Sequence, residues 1–173
     1  MKAGFRKIID GQKAASSENE STDKMQTPKL YNISSDVKGT WYSVDDQNKM
    51  YKTTFTNHTM TSSDGDKSYN ETWYLDDGSD PNDTENIHNN WACVAKDPIE
   101  KNGITSVNIR GWNPGSGAGS YFGTTSEDVD GILTTVLVST SGAGAWCDAV
   151  YYRTAAMAKK QNTARSDDLE DAD

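Results

Sequence analysis

Apolar and polar residues alternate along the middle of the chain with a period of two, the spacing of half-buried strands. In Met50–Asn57 the side chains of Tyr51, Thr53 and Phe55 fall on one face and those of Lys52, Thr54 and Thr56 on the other. In Ser68–Leu75 one face collects Tyr69, Glu71, Trp73 and Leu75. Six further runs fit the same template: Thr40–Asp45, His88–Ala95, Thr105–Trp112, Ser120–Thr125, Ile132–Ser139 and Trp146–Thr154. In Ile132–Ser139, Leu133 and Leu137 oppose Ile132, Val136 and Val138, which predicts a strand covered on both faces. Between the runs lie Gly-, Asn- and Asp-rich separators such as Asp46-Gln47-Asn48, Ser63-Asp64-Gly65-Asp66 and Gly142-Ala143-Gly144, whose chemistry suits hairpin turns. Eight successive hairpin-linked strands over residues 38–154 close most simply into an all-β, antiparallel up-and-down barrel, which removes exposed edges.

The flanks differ. Residues 10–36 are rich in Ser, Glu, Asn, Lys and Asp with little apolar periodicity, so residues 1–37 read as a polar leader or linker, of which residues 1–36 are expected to be deletable without unfolding the barrel. The start, Met1 to Ile9, is basic but lacks the apolar run of a signal peptide. At the other end, residues 155–173 read as a short helix from Ala155 to Lys160 followed by an acidic, solvated tail.

Composition narrows the function classes. The net charge is −9, and residues 39–154 hold 7 basic against 16 acidic groups, the reverse of a nucleic-acid footprint. Nothing approaches the length of a membrane-spanning apolar segment. Cys93 and Cys147 make an even pair, and one disulfide between them is expected in an oxidising compartment, with two buried thiols in a reducing one as the alternative.

The head of the first run is Gly39-Thr40-Trp41-Tyr42-Ser43, and Arg153 stands at the end of the last. This pairing resembles the lipocalin and wider calycin signature, and together with Phe55-Thr56-Asn57-His58-Thr59 it is similar to the small exported lipocalin-like proteins of lactic acid bacteria. The resemblance implies that Gly39, Trp41 and Arg153 close the barrel, with the guanidinium over the indole. It also implies a monomeric, extracellular or cell-surface protein that takes a small apolar or amphipathic ligand. The chain departs from the lipocalin pattern in its short first loop and in lacking a Thr-Asp-Tyr motif, so a barrel filled by its own Trp and Tyr side chains stays open as the alternative. Such a barrel would act as a surface module for a carbohydrate or protein partner. Candidate ligand-binding residues are Trp73, Trp112 and Tyr121.

Catalytic chemistry is not legible. No Gly-x-Ser-x-Gly elbow surrounds a serine, and His58 and His88 lie in separate runs without metal-ligand spacing. The acidic stretch from Asp76 to Glu85 would offer oxygens to calcium but does not follow the EF-hand pattern, and a solvated loop is expected there. The glycine cluster from Asn113 to Gly119 leads into another strand-like run rather than a helix, so it reads as a flexible connection. No cofactor, metal or enzymatic activity is expected.

Overall fold

The structure, a computed structural model, describes residues 28–76, 88–112, 117–142 and 146–170, the last eight of these in backbone only. Ten strands occur among the described residues: β1 Gly39–Val44, β2 Met50–Phe55, β3 Thr59–Ser63, β4 Ser68–Leu75, β5 Trp91–Val94, β6 Ile99–Lys101, β7 Ile104–Gly111, β8 Ser120–Val129, β9 Ile132–Ser141 and β10 Trp146–Tyr151. Helix α1, Ala155–Glu170, follows. The strands form one sheet in the order β1-β2-β3-β4-β5-β7-β8-β9-β10, with β6 on the side of β7. A single antiparallel bridge, Tyr42 to Tyr152, brings the two ends together and nearly closes a barrel.

The all-β barrel is as the alternation predicts, but the strand count and one pairing differ. Strand β3, Thr-Met-Thr-Ser-Ser, carries one apolar residue and so has no alternation to detect. Strand β6 sits inside a stretch expected to be a separator, where Asn102 and Gly103 at positive φ turn it back onto β7. Strands β4 and β5 pair in parallel. A parallel neighbour requires a connection of about a dozen residues to carry the chain back along the barrel, and the segment from Asp76 to His88 supplies that length.

Alternation sorts the side chains as expected. Phe55, Met60, Trp73, Ala92, Val94, Ile109 and Leu137 point inward with Trp41, while Val129, Val136 and Val138 point outward. The outward set is covered by α1 through Met157 and Ala158, so β9 is covered on both faces as far as Val136, Leu137 and Val138. Ile132 and Leu133 do not share this cover; they stand 68% and 77% exposed at the tip of the β8–β9 hairpin. The helix starts where Thr154 caps it, its Oγ1 accepting from the Met157 amide at 3.2 Å. It continues well past Lys160, to Glu170, and so takes in part of the expected acidic tail.

Residues 28–37 are not a detachable tether. Tyr31, Ile33 and Val37 pack into the core, the Tyr31 amide donates to Trp73 O, and the Ile33 amide donates to Asn57 O. Three spaced apolar residues in a polar context bury well when the rest of the barrel supplies their partners, which composition averaged over the segment conceals. Residues 1–27 lie outside the described residues.

The expected disulfide is also corrected. Cys93 and Cys147 are not bridged; the first is buried and the second exposed. They lie on β5 and β10, with β7, β8 and β9 between them, whereas a disulfide requires Cα atoms within about 7 Å. Alkylation of the native protein should therefore modify Cys147 quickly and Cys93 only after unfolding, and reductant should leave the intact mass unchanged. A mass gain of two hydrogens on reduction would refute this assignment.

Candidate functional site

One end of the barrel is built shut. The chain passes beneath it through Ile33 and Val37, and Trp41, fully buried, donates from Nε1 to Val37 O at 2.7 Å. The Arg153 guanidinium lies 3.4 Å from the Trp41 ring centroid and donates to Lys38 O and Asp36 O, each at 2.9 Å. Gly39 has φ +105°, and a Cβ there would come within 2.9 Å of Arg153 Nη1. The glycine thus serves both a left-handed backbone and the close approach of the guanidinium. Thr124 ties the same corner to β8 by donating to Asp36 Oδ2 at 2.7 Å. Burial opposes ionisation of Asp36, but the hydrogen bonds from Thr124, Ser34 and nearby amides prevail and hold its carboxyl below the usual range.

Above this floor the interior is aromatic. Phe55, Trp73 and Phe122 touch one another at centroid separations of 5.6 to 6.1 Å, with Tyr31 and Tyr151 at the margins. Toward the opposite end, the mouth, inward positions turn polar: Ser43, Thr53, Glu71 and Ser139 are buried there. Thr53 and Ser62 share a hydrogen bond of 3.1 Å. Burial raises the Tyr151 phenol pKa, and its hydrogen bonds with Ser139 and Ser43 only partly offset this.

Along the inner face of β4 runs a ladder. Trp73 Nε1 donates to Glu71 Oε1 at 2.6 Å and Tyr69 Oη donates to Glu71 Oε2 at 2.7 Å. Burial, then the bond to Glu71, then its charge push the Tyr69 phenol well above its ordinary pKa, so it stays a donor across the physiological range. The rim beyond is formed by the β1–β2 and β3–β4 turns. Asp45 accepts from the amides of Gln47 and Lys49, Asp64 from those of Asp66 and Lys67, and Lys49 Nζ bridges to Asp64 at 2.5 Å. The Lys49 bond, followed by the Lys67 amide, holds the Asp64 carboxyl at about 2.

The three ligand-binding candidates fall in three different places. Trp73 is wholly buried in the interior. Trp112 lies outside the wall in a cluster with Tyr74, Trp91 and His88, where Trp91 is 3.9 Å from His88, 4.4 Å from Tyr74 and 5.2 Å from Trp112 between centroids. Beside the cluster, Arg110 bridges to Asp76 at 2.7 Å. Tyr121 also faces outward and lines, with Ile99, Ile104, Ser106 and Thr140, a concavity of about 20 Å³, room for about one water molecule. The polar mouth residues were not singled out from the sequence. The available signal was Glu71, a carboxylate sharing a strand face with Trp73.

Of the acidic stretch from Asp76 to Glu85 only Asp76 is described, and of the glycine cluster only residues 117–119. Among the described residues no group of His, Cys, Asp and Glu side chains is placed to hold a metal, and no helix is long and apolar enough to cross a membrane. Compared with protein-family models, curated proteins and solved structures, the chain matches none of them.

Proposed function

We propose that the protein is a non-catalytic, lipocalin-like binding protein acting at the cell exterior, and that it takes a small amphipathic molecule into the mouth half of its barrel. The observation that carries this reading is the change of polarity along the inner wall. Side chains just fill an eight-stranded barrel; this wall has nine strands, and at Ser43, Thr53, Ser62 and Ser139 its inward side chains are short and polar where the layer below is aromatic. An apolar group would rest on that layer, beside Phe122 and Tyr151, and a polar head would meet hydroxyls. A wholly apolar ligand suits this wall less well, since it would cover buried polar groups without bonding them. The exterior placement rests on the resemblance of Gly39–Ser43 and Phe55–Thr59 to small exported proteins.

The test is an amide-shift titration of the isotope-labelled protein with chain-matched amphiphiles, octanol, octanoate and octylamine, each below its aggregation threshold. Saturable shifts at Ser43, Thr53, Ser139 and Tyr151 are expected with at least one probe. The outer cluster favours a second reading, a carbohydrate surface, because Tyr74 and Trp112 stand beside the Arg110–Asp76 pair. Saturable shifts confined to Tyr74, Trp91 and Trp112 on adding a soluble glycan, with none from the amphiphiles, would replace the first reading by the second.

A further inference from the structure

The mouth of the barrel contains a buried carboxylate that no cation among the described residues is shown to pair. Glu71 is 8% exposed, and its two oxygens accept only from the neutral donors Trp73 Nε1 and Tyr69 Oη. The ion pairs Lys49–Asp64, Arg110–Asp76 and Lys160–Asp130 do not include Glu71. Burying a carboxylate is costly unless a positive charge or several hydrogen bonds offset the lost hydration. Two donors leave acceptor capacity on each oxygen, because an ionised carboxylate offers about four lone-pair sites. The Tyr69 ring, half exposed at the rim, stands on the same strand face two residues nearer the mouth.

The surrounding charge is net negative. The mouth turns carry Asp45, Asp46, Asp64 and Asp66 against Lys49 and Lys67, and the Lys49 ammonium is already engaged by Asp64. A net negative surround raises the local concentration of cations. Recognition of an organic ammonium uses these parts in combination: a carboxylate for a charge-assisted hydrogen bond, an aromatic ring for cation–π contact, and hydroxyl acceptors for the remaining N–H groups.

We infer that the polar head of the ligand is an organic ammonium group, received by Glu71 with the Tyr69 ring beside it and the hydrocarbon portion directed onto the aromatic layer below. This rests on the reading of the mouth as an amphiphile site and adds the chemical class. Trp73 then serves as a built-in reporter, since its indole N–H is bonded to the carboxylate that the ammonium would engage.

The experiment compares octylamine, octanol and octanoate on the wild-type protein and on Glu71→Gln. Octylamine should bind the wild type most tightly and shift the Trp73 indole N–H resonance. The Gln variant, which keeps size and an acceptor but loses charge, should weaken octylamine by about tenfold or more and change octanol little. Equal binding of octanol and octylamine, with the Trp73 resonance unmoved, would overturn the ammonium assignment and leave the amphiphile reading standing. Absence of saturable binding by all three probes would overturn both. If the Gln variant fails to fold, the ranking of the three probes and the Trp73 shift in wild-type protein still decide between these outcomes.

Discussion

Replacing Trp41 by alanine is expected to lower the unfolding free energy by about 3–5 kcal/mol, the range for truncating a large buried aromatic side chain. The indole is fully buried, its N–H satisfies Val37 O, and its face receives Arg153. Arg153→Ala should cost less, about 1–2 kcal/mol, because the guanidinium is largely exposed but supplies both a cation–π contact and two hydrogen bonds to backbone carbonyls. The double variant should fall short of the sum, since either single change removes the shared contact. Arg153→Lys should not restore stability fully, because an ammonium cannot reach Lys38 O and Asp36 O in the planar fork geometry. Urea unfolding of the four proteins checks this; strict additivity would mean that the stacked arrangement contributes nothing to stability.

Trp73→Ala is expected to be at least as damaging. It removes about 3–5 kcal/mol of burial and packing, and it also takes away one of the two donors to Glu71. A buried acceptor losing its partner costs about 1–3 kcal/mol more. Trp73→Phe, which retains most of the apolar volume, should recover much of the first contribution and none of the second. A denaturation midpoint for Trp73→Phe equal to wild type would show that the Trp73–Glu71 bond is energetically silent. Trp112→Ala, on the outer face, should fall well below both.

Period two read well wherever strands combine one apolar and one polar face, and failed where that contrast is missing. Tyr51, Thr53 and Phe55 share an inner face as the pattern says, and Gly39, Trp41 and Arg153 come together across the seam. Strand β3 escaped because Ser and Thr dominate both its faces, and β6 because three residues are too few to show a period. The parallel pairing of β4 and β5 is set by a connection whose course local sequence does not encode. Tyr31, Ile33 and Val37 were hidden by their polar neighbours, although their spacing is enough to anchor the segment.

The candidate site was harder to read for a related reason. Aromatic residues attract attention as ligand platforms, yet Trp73 is structural and Trp112 is partly covered by Tyr74 and Trp91. The residues that give the mouth its polarity are serines, a threonine and a glutamate, types common throughout this chain. Only their shared inward direction, a property of closure, distinguishes them. Glu71 was the exception that alternation exposed, a carboxylate placed where an aliphatic side chain would be expected.

The barrel is zipped shut by one residue pair, Tyr42 with Tyr152, and α1 lies across that seam, with Met157 and Ala158 packed beside Tyr42, Val44, Val150 and Tyr152. Asn162 extends the strap to the β1–β2 turn through Asp45 O and Asn48. A cylinder has no free margins, whereas a sheet opened along one line has two, each presenting unsatisfied amides and carbonyls to any other chain. The helix therefore acts as a guard against polymerisation: losing it would turn a self-contained wall into a ribbon with two adhesive borders.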